Sequence, residues 1–168
     1  MTIGASRGFT LIELMVSISI VTVMLGVGIP AFQDYGRKAE LKQAATDIQV
    51  ALMQAHSLAL APEADKPSNI TFYGVEFDPA AASFDVVRGQ PAVGVCPLGL
   101  KTVLEHHTVP SSISISPSTN CIGYLVGTGA EPLFAGTGSA TIGLNSSRIN
   151  GTTVTVGVNR VTGQITVE

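Results

Sequence analysis

One carboxylate stands where it should be costly. From Phe9 to Ile29 the chain runs for 21 residues with a single charge, Glu13. In a membrane helix an unneutralised carboxylate costs on the order of 3 kcal/mol. Glu13 is therefore a functional residue by default, and a cationic partner has to be found for it. Other residues able to do chemistry are sparse. His106 and His107 are adjacent, so on a strand they point to opposite faces and cannot hold one ion together. No third ligand accompanies them, and no metal site is expected. The serines lack a triad context and the Asp and Glu residues are scattered singly. No phosphate-binding glycine loop occurs either. Neither catalytic residues nor a cofactor are expected, so the chain does not read as an enzyme.

The element carrying Glu13 is a helix. At about 1.5 Å per residue its apolar run is roughly 30 Å long, enough to cross a bilayer core. Gly26, Gly28 and Pro30 lower helix propensity and remove a hydrogen bond, which predicts a kink or locally melted stretch near Pro30. Beyond it Leu41, Ala45, Ile48, Leu52, Ala55 and Ala59 recur at spacings of four and three, one apolar stripe. The helix should end at Leu60 or Ala61, before Pro62 and a polar segment. After Ser68 the pattern is of short strands and turns. Strands are expected at 70–77, 83–88, 101–108, 112–116, 140–144, 152–158 and 164–167, with 89–99 a loop. Laying the helix across one antiparallel sheet buries both apolar faces, giving an α+β fold.

The segment Gly8-Phe9-Thr10-Leu11-Ile12-Glu13-Leu14-Met15-Val16 resembles the type IV prepilin signal of pilins and type II secretion pseudopilins. The resemblance implies cleavage by prepilin peptidase between Gly8 and Phe9 and N-methylation of the new amino terminus at Phe9. It also supplies the missing partner: Glu13 would pair with a neighbouring subunit's terminal amine during assembly, a cation against an otherwise expensive charge. An ordinary secretory signal would have an uninterrupted apolar core, and a plain signal anchor leaves Glu13 unexplained. In the family the proline corresponding to Pro30 lies where the helix bends or unwinds in the filament. The tail, from Leu133-Phe134 through Thr162-Gly163-Gln164-Ile165, resembles the minor pilins and pseudopilins called FimT and GspH.

These readings divide the chain into a leader (1–8), a transmembrane and filament-core half-helix (9–30), an amphipathic half-helix (31–61) and a β-rich head (62–168). The implied location is the bacterial inner membrane, single-pass with the head in the periplasm, and then a pilus or pseudopilus. The expected partners are other pilin subunits, through the N-terminal helix, and prepilin peptidase. An even pair of cysteines in an exported head, Cys96 and Cys121, favours a disulfide. Such a bridge would contribute roughly 3 kcal/mol on the chain-entropy model. Function is expected to be structural, in assembly of a type IV pilus, with a type II secretion pseudopilin as the alternative. A second alternative is a FimT-like DNA receptor. From Pro62 onward five Lys and Arg stand against eight Asp and Glu, which disfavours nucleic acid. Gln164 takes the place of an arginine at the last turn, leaving Arg160 and the more distant Arg148 as the DNA-binding candidates.

Overall fold

The computed structural model describes residues 9–62, 69–92, 95–127, 134, 138–148 and 151–168, with the side chains of 27–31, 91–92 and 95–99 left aside. Helix α1 spans Leu11–Leu60. It starts where Thr10 accepts the Glu13 backbone N–H on Oγ1 at 3.3 Å, a side-chain cap for a donor the first turn leaves orphaned. It stops where Pro62 disfavours helical backbone at Ala61. There Ala61 N–H closes the last turn on Ser57 O, and Gly127 N–H reaches in to Ala59 O at 3.0 Å.

The chain forms two compact units, Met1–Gly36 and Arg37–Glu168. In the first, every described side chain from Phe9 to Gly26 is exposed, although most are apolar. The helix assignment runs unbroken through Pro30. The melted form of the expected irregularity is thus not adopted, while the bend at Pro30 stays a proposal. Among the described residues no helix is long and apolar enough to cross a membrane. The expected span includes residues 27–31, whose side chains are not described.

In the second unit Leu41, Ala45, Ile48, Leu52, Ala55 and Ala59 are all fully buried, so the stripe read from the sequence is the helix's inner face. Two antiparallel sheets receive it. Strands β1 (Phe72–Asp78), β2 (Ser83–Ala92), β3 (Val95–Thr108) and β5 (Cys121–Leu125) form the first, in the order β3-β2-β1-β5. Strands β4 (Ile113–Pro117), β6 (Ser139–Ser146), β7 (Thr153–Asn159) and β8 (Ile165–Val167) form the second, in the order β4-β6-β7-β8. One continuous core joins the helix to Tyr73, Val75 and Val86 of the first sheet and to Ile142, Leu144 and Val156 of the second.

The single sheet expected is therefore two. The chain changes sheets at the β4–β5 corner, where Ser118 N–H bonds Thr141 O and Asn120 O accepts Phe77 N–H, both at 2.8 Å. The loop expected over 89–99 is largely ladder, because bulges between Val86 and Ala92 absorb Gly89 and Pro91 without ending the pairing. Strand β5 escaped the pattern because Gly123 interrupts it. That glycine lies opposite Gly74 on β1, and the Phe72 ring lies across both. A Cβ on Gly123 would come within 1.8 Å of Phe72 Cζ. The apparent strand-breaker is the floor of an aromatic contact.

Candidate assembly site

Phe9, Thr10 and Glu13 surround the start of α1. Gly8, the other half of the expected cleavage junction, lies outside the described residues. Phe9 is 83% exposed. Thr10 and Glu13 stand three apart at the helix start, the first two members of a capping-box pattern that sequence reasoning overlooked. The Thr-x-x-Glu spacing was the available signal. Its consequence is electrostatic: Glu13 sits in the first turn, where the helix dipole favours a negative charge. The carboxylate is thus placed favourably within its own helix, next to exposed Phe9.

The polar side chains further along are neutralised locally. Ser17, Ser19 and Thr22 hydroxyls donate to the carbonyls of Glu13, Met15 and Ile18, each at 2.8 Å. Each hydroxyl bonds back one turn, as Ser and Thr do inside helices. The surface left by this arrangement is apolar on every side, from Leu11 and Ile12 to Met24 and Leu25. A helix apolar all round requires a covering medium, either lipid or other protein.

The residues singled out in the head do not converge. His106 Nδ1 meets Asp85 Oδ1 at 2.5 Å, whereas His107 stacks on Phe84 with ring centroids 4.9 Å apart. The two imidazoles thus serve different partners, and among the described residues no cluster could hold a metal. Arg160 lies over the ring of buried Phe134 at 5.4 Å. It follows β7, in a turn that Asn159 Oδ1 fixes by accepting Val161 and Thr162 N–H. Arg148 follows β6, and its carbonyl accepts Arg37 Nη1–H at 3.3 Å. Because Ser139 pairs with Asn159 and Asn145 with Thr153, these arginines leave opposite ends of the β6–β7 ladder. At about 3.3 Å per residue roughly 20 Å of ladder separates them. The structure does not bring the two DNA-binding candidates together.

Cys121 is 1% exposed, packed with Phe72 and Val87, and among the described residues no cysteine is free. The Cys96 side chain lies outside the described residues, so the bridge is carried on as a proposal. Tyr73 and Tyr124 face each other across β1 and β5, and among the described residues neither buried hydroxyl has a hydrogen-bond partner. Burial pushes the Tyr124 phenol up to about 12.

Residues 3–29 match the family model described as the prokaryotic N-terminal methylation motif. The chain is 63% identical over 35 residues to prepilin peptidase-dependent protein D of Escherichia coli, covering 21% of this chain and 24% of that one. It is 50% identical over 38 residues to the type IV major pilin PilE1 of Neisseria gonorrhoeae, 23% of each. It thus spans about a quarter of the length of these relatives. In fold it is similar to the type IV minor pilin FimU of Pseudomonas aeruginosa, with a TM-score of 0.56 at 14% identity, over 80% of this chain and 92% of FimU.

The architecture is the type IV pilin fold, an N-terminal helix packed on antiparallel sheets. The chain is thus similar to type IV pilins in its fold and in its N-terminal motif. The narrower likeness to FimT and GspH is not singled out by these comparisons.

Proposed function

We propose that this chain is a type IV minor pilin, held in the inner membrane by its N-terminal helix and then packed through that helix into a pilus. The observation that carries the reading is a helix exposed and apolar all round, with one carboxylate in its first turn, continuing into the spine of a separately packed head. Removing apolar surface from water is worth about 25 cal/mol per Å2, so such a surface drives insertion into lipid or association with like helices. Prepilin peptidase would cut between Gly8 and Phe9, and Phe9 would carry the N-methyl group. Glu13 would then face the terminal amine of a neighbouring subunit, a charge pair made strong by the dry surroundings. The named relatives are a peptidase-dependent protein and pilins, and the fold neighbour is a minor pilin. They support the pilus over a secretion pseudopilus.

Intact mass of the membrane-extracted protein is expected to show loss of the first eight residues and gain of one methyl. A mature chain beginning at Met1, or beyond Ala31, overturns the assignment. Glu13→Leu should keep the chain in the membrane fraction but exclude it from sheared filaments. Wild-type levels of Glu13→Leu in filaments would refute the role given to the carboxylate.

A further inference from the structure

The outer face of the second sheet is built from hydroxyls, amides and glycines. Ser116, Gly143 and Thr155 align across β4, β6 and β7, and Thr141, Gly157 and Thr166 align across β6, β7 and β8. Their alternate neighbours, such as Ile142 and Val156, fill the core. Along these aligned rows the one charge among the described residues is Glu168, which pairs with Thr155 and lines the groove between the rows. Protein surfaces ordinarily carry interspersed charges, which keep them hydrated and apart. Here the face is polar with a single carboxylate, an acceptor that a partner bringing its own hydroxyls can satisfy as it covers the face.

The face also has a depression of the right scale. Thr141, Thr155 and Thr166, with Asn159, Gln164 and the carboxylate of Glu168, line a groove of about 250 Å3 above Gly157. That is smaller than the roughly 300–1,000 Å3 of pockets for drug-sized ligands, and suits a unit the size of one sugar residue. The glycine is what opens it, since a Cβ there would meet Thr166 Oγ1 at 3.0 Å. Among the described residues the hydroxyls of Thr141, Thr155 and Thr166 make no internal hydrogen bond. Each offers a donor and acceptor sites; the Gln164 amide adds both kinds, and the Asn159 amide, whose oxygen already accepts Val161 and Thr162 N–H, adds donors.

The geometry points to this groove as a docking site for a neutral glycan, one sugar residue seated over Gly157 with the chain running across the threonine rows. Cationic recognition of phosphate or carboxylate has no group to carry it here, and no aromatic ring lines the groove for stacking. Binding is therefore weak per site and sensitive to single hydroxyls. The proposal concerns the head alone, so its failure leaves the cleavage and assembly reading untouched.

The test uses the full-length chain in a detergent without sugar headgroups. Cellohexaose, maltohexaose and chitohexaose are titrated by saturation-transfer NMR. At least one should bind with a Kd of roughly 0.1–10 mM. Gly157→Ala, which fills the floor, and Thr166→Val, which removes one hydroxyl at constant shape, should each weaken it about fivefold. Val161→Ala, on the neighbouring turn, should leave it unchanged. No binding of any of the three sugars at about 10 mM overturns the proposal. So does binding that both groove variants retain in full. Disulfide-linked dimers of Thr155→Cys formed in assembled filaments would show a protein partner on this face and equally overturn it.

Discussion

Tyr124 illustrates how much a single buried group can govern. Its ring packs tilted against His56, ring centroids 4.8 Å apart, and among the described residues its hydroxyl finds no partner. Burial disfavours the charged form, which is why its pKa rises to about 12. The unfolded chain releases that proton near pH 10 while the folded chain retains it. Stability should therefore be intact below about pH 10 and fall by roughly 2 kcal/mol as pH climbs to about 12. Urea titrations at several alkaline pH values check this, and Tyr124→Phe should flatten the decline. The same substitution removes an unsatisfied hydroxyl and should raise stability at neutral pH by about 1 kcal/mol. At Gly123 the opposite holds. Gly123→Ala places a methyl against the Phe72 ring and should cost about 1–3 kcal/mol in chemical denaturation. Pairing it with Phe72→Val should recover part of that loss, because residues in contact do not add independently.

At the scale of elements, the helix was the most legible part of the sequence. Its apolar stripe repeats at a spacing that only a helix gives, and its end is marked by Pro62. Leu52→Ala, on the fully buried stripe, should lower stability by about 2–5 kcal/mol. Val50→Ala, two residues away and exposed, should change it by less than about 0.5 kcal/mol. The strands were legible where alternation was strict, as in Ser112 to Ser116, and illegible where tertiary contacts set the residue. Gly123 is a glycine because of an aromatic ring from another strand, and 89–99 stays paired because bulges absorb its glycine and proline. Neither cause lies in the local pattern. Thr10 was missed for a different reason: its spacing to Glu13 is a capping signal, but the charge in an apolar run drew all the weight. The proposed Cys96–Cys121 bridge also acts at this scale, tying β3 to β5. Peptide mapping without reductant should find the two linked in protein from the native envelope, and free thiols at both would refute it.

For the molecule as a whole, the charge distribution bears on what the chain can approach. The head has a net negative charge, and Arg148 and Arg160 leave opposite ends of one ladder. Counterion release from two separated arginines gives a salt slope no steeper than about −2 on duplex DNA. Gel-shift titration at about 0.15 M salt is expected to show at most weak binding. Micromolar affinity abolished by Arg160→Ala would instead make the chain a DNA receptor. The division into two units explains why function was read more readily than the head. The first unit has few constraints, an apolar run from Phe9 to Ile29 and the one carboxylate within it, and both are visible in the sequence. In the second, position depends on which of two sheets each strand joins, and pairing partners distant in sequence decide that.

The back-bonded hydroxyls of Ser17, Ser19 and Thr22 have one more consequence. A polar group that relies on water, or on a neighbour, must break and remake that bond whenever its surroundings change. These three take their partner from the same helix, one turn back. Under the proposed function the helix moves from lipid to packed protein, and this part of its polarity goes with it already solvated. The move then exchanges one apolar contact for another, with little barrier from desolvation in either direction. A segment with that property suits a filament that can be taken apart as well as built.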